Sequence, residues 1–190
     1  SFAKIDIEPP ACSKAKKKKI LAIINTPTTN KRSLTTCLGA STSISLISFN
    51  VYQHNKEYQK FISLINDVKP DLFLTMESNT DWEKAMSVLD EQYPYRKKVP
   101  LENTYGIHFY SKIEVNDCKV NYFMADDLPS IEANLTTENN EKLTFFETHP
   151  PPPSPTEEET SKERDGEIIK IGEKVREYDN PVLVVGDFNN

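Results

Sequence analysis

Long apolar runs are scarce in this 190-residue chain. Ile20 to Ile24 (ILAII) is one of the few, and it is far too short to cross a bilayer, which takes about 20 residues. It reads instead as an added strand. Cysteine is also scarce. Cys12, Cys37 and Cys118 show no metal-ligand spacing, so a cysteine-built zinc cage is excluded. Cys12 and Cys37 can pair if the domain is exported, and the odd count leaves a thiol over, so cysteine does not fix the compartment. There are three histidines: His54 in a solvated loop, His108 inside a strand, and His149. Positive charge is thin where most of the chain lies. Residues 41–190 hold fifteen Lys/Arg against twenty-seven Asp/Glu, a net of −12. That balance argues against a broad nucleic-acid footprint, which needs a basic surface. Arg96, Lys97 and Lys98 are the basic cluster of this part and read as a solvated loop. The chain opens on Ser1 rather than Met and reads as excised from something longer.

What is present suffices for one domain. Hydrophobic residues make up 37% of the chain, enough for a core. Residues 1–40 form a basic, partly irregular N-terminal segment with eight Lys/Arg against two Asp/Glu. Its Lys16 to Lys19 run reads as solvated charge, and Thr26 to Thr42 as a Ser/Thr/Asn-rich loop. Residues 41–190 form the main domain.

The last residues carry the most information. Val182 to Val185 read as a buried strand, and Gly186 lets the backbone turn closely where the strand stops. Asp187 and Asn189 are two residues apart, so extended backbone would point them the same way. A carboxylate beside a carboxamide suits a cation and a phosphate, although an Asp after a strand is more often a turn residue. Upstream, Ser43 to Val51 predicts a strand. Tyr58, Phe61, Ile62, Ile65 and Val68 predict a helix stopped by Pro70, and Asp71 to Glu77 a second strand. A strand–helix–strand unit makes the two strands parallel, which brings Asn50 and Glu77 to one edge. Leu143 to His149 predicts a strand after an Asn139-Asn140 turn, with His149 held at its end by four following prolines. Asn79 or Thr80 caps a helix bearing Trp82, Ala85, Met86 and Leu89. Pro150 to Arg164 reads as a stiff, then acidic, surface loop. The helix after it packs Ile168, Ile171, Val175 and Tyr178.

Polar residues at four strand ends carry a resemblance. Phe49-Asn50-Val51, Glu77, Tyr105-Gly106-Ile107 with Ser111, Thr148-His149-Pro150 and Gly186 to Asn189, in that order, resemble the endonuclease/exonuclease/phosphatase superfamily. The similarity runs from about Ser43 to Asn190 and is greatest to a bacterial, uncharacterised branch whose domain often follows membrane-spanning helices. The resemblance implies an α/β fold, a four-layer sandwich of two mixed sheets flanked by helices. It implies hydrolysis of a phosphoester with Mg²⁺ or Mn²⁺ and an activated water. Carried onto this chain, Glu77 is the metal ligand and Asn50 supports the polar network beside it. Asp187 orients or activates the water, and Asn189 holds a phosphate oxygen. His149 contacts the phosphate or assists the leaving group, and Tyr105 lies near the substrate.

Members of the family continue past this last strand to a late Asp-His pair that supplies the principal base. A chain ending at Asn190 is therefore expected to lack C-terminal strands, to leave an edge of the second sheet open, and to hydrolyse poorly. The acidic body points to a small or membrane-borne phosphoester rather than duplex nucleic acid. Family analogy adds a membrane tether outside this stretch and an extracytoplasmic location. Two other readings stay open: a non-catalytic relative that binds a phosphorylated ligand or a protein partner, and a DNA/RNA endonuclease.

Overall fold

The computed structural model describes residues 2–7, 20–25, 32–34, 42–152 and 158–189. In chain order the elements are β1 (Phe2–Ile7), β2 (Ile20–Asn25), β3 (Arg32–Leu34), β4 (Thr42–Asn50), α1 (Tyr58–Val68), β5 (Leu72–Met76) and α2 (Thr80–Met86), which tightens into a 3₁₀ turn at Ser87–Leu89. There follow β6 (Tyr95–Val99), β7 (Ile107–Ser111), β8 (Glu114–Asn121), β9 (Ser130–Thr136), β10 (Lys142–Thr148), α3 (Glu158–Val175) and β11 (Val182–Gly186).

Among the described residues the strands form two mixed sheets, ordered β3-β1-β4-β5-β7-β6 and β2-β11-β10-β9-β8. Alternation along the strands explains the layers. Leu72, Leu74 and Met76 of β5 and Leu183 and Val185 of β11 meet between the sheets, together with Phe109, Phe145 and Leu135. The intervening residues point outward. Phe73 and Tyr110 pack under α1 and α2 with Phe61, Ile65 and Trp82. Val182, Val184 and Phe146 pack under α3 with Ile171 and Val175. Helix, sheet, sheet, helix is the four-layer sandwich expected. Val182 to Val185 form an unbroken apolar run because both faces of β11 are covered.

Local signals set most element ends. Lys69 leaves α1 in the left-handed region with its N–H on the Ile65 carbonyl, and Pro70 follows. Asn79 caps α2, its side chain accepting from the Trp82 N–H. Three sequence expectations are revised. First, Arg96, Lys97 and Lys98 lie on strand β6 and not in a loop, and Lys98 pairs with Asp90 at 2.8 Å. Second, α3 begins at Glu158, inside the stretch read as loop, because Glu and Lys are good helix formers and acidic residues suit a helix N-terminus. Ile168 of that helix is more than a third exposed instead of packed. Third, the stretch read as the Thr26 to Thr42 loop contains β3 and the first residue of β4.

The N-terminal strands lie against both sheets. β1 pairs antiparallel with β4, and β2 pairs parallel with β11. β11 is therefore not an edge strand: beside it lies Ile20–Asn25, an apolar segment that satisfies the β11 backbone, and among the described residues the edges of this sheet are β2 and β8. Cys12, Cys37 and the Lys16 to Lys19 run lie outside the described residues.

Candidate active site

The site forms where strand ends of the two sheets meet. β4 and β5 run parallel, as a helical crossover requires, and their register pairs Asn50 with Met76. Glu77 is thus the next residue out of the sheet. It leaves the strand at φ 58°, which turns its side chain back across the edge. The Asn50 Nδ2 donates to Glu77 Oε1 at 2.7 Å and to Asp187 Oδ2 at 3.3 Å. One carboxamide therefore bridges two carboxylates, each from a different sheet.

On the second sheet, β10 and β11 are parallel and pair Thr148 with Gly186. A side chain at 186 would place its Cβ 1.8 Å from the Thr148 carbonyl oxygen, so only glycine permits this approach. The pairing sets His149 beside Asp187. His149 Nδ1 lies 3.3 Å from the Asp187 carbonyl oxygen, and Nε2 lies 3.9 Å from Glu77 Oε1. The sheets are joined here by the Asp187 N–H, which donates to Met76 Sδ at 3.1 Å. Tyr105 stands over His149 with ring centres 5.9 Å apart. Its loop is anchored by Gly106, whose carbonyl accepts from the Ser78 N–H at 2.9 Å and whose missing Cβ leaves room for the Ser78 carbonyl.

Asn189 reaches the site by a different route from the one expected. The chain is not extended after Gly186. Asn189 sits at φ 49°, and its N–H turns back to Asp187 Oδ1 at 3.2 Å, the local turn that Asp favours. Asn189 Nδ2 donates to the Pro150 carbonyl at 2.7 Å, leaving one amide proton. Asn50, Glu77, Tyr105, His149, Asp187 and Asn189 thus all lie at one rim. His54 is exposed on the neighbouring loop, its ring against Tyr52. His108 is fully buried under the helices of the first sheet, where burial and nearby Lys98 push its pKa down to about 3.

Electrostatics are set by burial. His149 is nearly enclosed, and desolvation lowers its pKa, opposed by the neighbouring Asp187 and Glu77. Burial raises the Tyr105 phenol, with help from the carboxylates of Glu163, Asp127 and Glu77. Glu147, two residues before His149, is fully enclosed. Its carboxyl oxygens have no hydrogen-bond partner among the described residues, and desolvation raises it well above the usual carboxylate range. Sequence reasoning missed Gln53 and Glu147. Gln53 donates its N–H to Glu77 Oε2 at 3.3 Å. No pattern in the sequence points to it. The alternation Leu143, Phe145, Glu147 was a signal for Glu147, since it puts that carboxyl on the core face.

Among the described residues no group of three or more His, Cys, Asp or Glu side chains could hold a metal ion. The oxygens available are those of Glu77 and Asp187 on either side of Asn50. That set does not suit a zinc cage, and it does suit a hard cation that keeps most of its waters and takes one or two carboxylates.

A comparison with curated proteins finds no match. Solved structures do match in fold. The TDP2 of D. rerio, complexed with a single-strand DNA product, superposes with a TM-score of 0.65 at 16% identity, covering 77% of this chain and 61% of that one. TDP2 from C. elegans gives 0.63 at 18%, covering 77% and 48%. The human Nocturnin catalytic domain with a bound sulfate anion gives 0.60 at 16%, covering 76% and 64%. This chain spans about half to two thirds of the length of those structures. The sequence profile of one family matches residues 47–190, a stretch that takes in every residue of the rim, and the chain belongs to that Endonuclease/Exonuclease/phosphatase family.

Proposed function

We propose that this domain hydrolyses a phosphoester, with the reaction centred between Glu77 and His149. The observation that carries the reading is the Asn50 carboxamide bridging Glu77 and Asp187, with His149 Nε2 3.9 Å from Glu77. Carboxylates, amide donors and one imidazole converge there from both sheets, which is the equipment for binding a phosphoryl group and moving a proton. Glu77 would hold Mg²⁺ or Mn²⁺, which when bound supplies charge neutralisation at the phosphate.

Each residue has a defined task. Asn50 holds Glu77 in position and keeps Asp187 beside it. Asp187, turned by the Asn189 N–H, orients the attacking water and takes up its developing positive charge. The remaining Asn189 amide proton is free for a phosphoryl oxygen. His149 donates Nδ1–H to the Asp187 carbonyl, an assignment made from the hydrogen bond itself, so Nε2 carries the lone pair at neutral pH. Nε2 is then the atom that contacts the phosphate or, once protonated, gives a proton to the leaving group. Tyr105 forms the wall against which the substrate lies.

The acidic body supports a small or membrane-borne phosphoester over duplex nucleic acid. One observation favours a second reading, a nuclease acting on DNA or RNA: the D. rerio TDP2 structure contains a single-strand DNA product. The deciding experiment measures release of nitrophenol from a nitrophenyl phosphodiester, with and without Mg²⁺. Slow turnover that depends on the metal and falls further in His149→Ala is expected. Metal-independent turnover, or full activity in that variant, would overturn the reading. A single-stranded oligonucleotide cleaved faster than the small diester would favour the second.

A further inference from the structure

Four of the six non-glycine residues with positive φ among the described residues border the site: Tyr52, Glu77, Thr104 and Asn189. Thr104 is the costliest of them. It is β-branched and sits at φ 72°, a conformation such residues rarely adopt unless the surroundings impose it. It also immediately precedes Tyr105. What imposes it is visible. The Thr104 N–H donates to Gln53 Oε1 at 2.7 Å, and Gln53 Nε2 donates to the Glu102 carbonyl at 2.8 Å. Both ends of one buried carboxamide are thus used on the backbone of a loop 49 to 51 residues away. The same residue's N–H binds Glu77 Oε2.

We infer that Gln53 is a positioning residue that sets Tyr105 against His149 by clamping the 102–104 backbone, and that ties this wall of the site to Glu77. The inference rests on the proposed reaction only for its consequence; the clamp itself is a matter of geometry. At the same turn the Tyr105 N–H donates to Asn103 Oδ1 at 3.1 Å, and Asn103 Nδ2 donates to Asp127 Oδ2 at 3.0 Å. Two further anchors act elsewhere. Glu102 accepts from the Thr80 N–H and from Asn79, and Gly106 accepts from Ser78. These hold the two flanks of the loop. Gln53, together with the local Asn103 turn, holds its centre, where the chain must turn to aim Tyr105. Removing the carboxamide lets Thr104 relax toward negative φ, which swings the next side chain away from the imidazole.

The test reads the clamp without turnover. Gln53→Met keeps the length of the side chain and removes both hydrogen bonds. Amide exchange at Thr104 should accelerate about tenfold, the worth of one such bond, while β4, β5 and β7 stay protected. The His149 ring resonances should move to the positions they take in Tyr105→Ala. Gln53→Glu, which keeps an acceptor for Thr104, should restore protection there. In turnover, Gln53→Met should add nothing to Tyr105→Ala, because both remove the same wall. A folded Gln53→Met protein with Thr104 still protected and His149 unmoved overturns the inference, as does additive loss in the double variant. If Gln53→Met fails to fold, Thr104→Gly decides. Glycine takes φ 72° without strain, so the double variant should fold, and its failure to do so would also overturn the clamp. These exchange and resonance changes in Gln53→Met, in a protein whose phosphodiester turnover depends neither on metal nor on His149, would sink the hydrolase reading and leave the clamp standing.

Discussion

Glu77 is a charged residue in left-handed backbone, held by Asn50 on one carboxylate oxygen and by the Gln53 N–H on the other. A carboxylate so constrained is preorganised, and little entropy is lost when it takes a cation. If Glu77 holds the ion, Mg²⁺ or Mn²⁺ should raise the melting temperature. Saturation at about 100 times Kd is worth about 2.7 kcal/mol. Glu77→Gln should lose most of that shift while remaining folded, as followed by differential scanning fluorimetry; an equal shift in the variant removes Glu77 from the cation. Glu147 offers the opposite case, a carboxyl that gains nothing from its place. Its folded pKa is raised, so the neutral acid is the folded form. Stability is complete below the unfolded pKa, near 4.5, and is lost as pH rises above it. Glu147→Leu, similar in volume and free of the unpartnered oxygens, should therefore be more stable than wild type at pH 7, by about 1–3 kcal/mol. The advantage should shrink toward pH 4 in urea titrations. An advantage independent of pH would mean that packing, not the carboxyl, sets the difference.

At the scale of elements, the βαβ unit was legible because its signals are local. Apolar spacing defines α1, Pro70 ends it, and a helical crossover leaves parallel strands as the favoured pairing. Asp71, at the head of β5, reinforces that pairing by accepting from the Ser45 N–H at 2.7 Å and from its hydroxyl. The cap of α2 was legible for the same reason, and it makes a clean prediction. Asn79→Ala removes the bond to the Trp82 N–H and should cost about 1 kcal/mol, seen as a lower urea midpoint with an unchanged slope. No loss of stability would place the start of α2 under the control of Glu102, which also binds the Thr80 N–H. The N-terminus of α3 was misread because prolines and acidic residues look like loop until the chain after them is seen to be helical. Lys97 and its neighbours were misread because an edge strand carrying three successive charges resembles a loop in composition.

For the whole molecule, charge is the property that reaches furthest. The full chain carries −6, and residues 41–190 carry −12. Around Tyr105 the carboxylates of Glu163, Asp127 and Glu77 are close enough to act on its phenol. Duplex DNA should therefore bind no tighter than about micromolar near physiological salt, and binding should fall steeply as salt rises. Fluorescence polarisation with a labelled duplex reads this directly. A sub-micromolar Kd at that salt would raise the nuclease reading above the one proposed. Among the described residues no helix is long and apolar enough to cross a membrane.

The sequence by itself determined the alternation that builds two sheets, the helix that makes β4 and β5 parallel, and the polar residues that end up at strand ends. These follow from periodicity and from turn chemistry, which act over a few residues. Tertiary structure alone decided which of those ends meet. Asn50 touches Asp187 across 137 residues of chain, and Gln53 finds Thr104 across 51. The first contact depends on how the two sheets face each other and the second on the strand order of the first sheet, and no local pattern encodes either. The same holds for Glu147, whose place on the core face was readable but whose lack of any partner was not. It holds too for Asn189, which joins the rim through a turn set by Asp187 and Pro150 and not through the pleat of a strand.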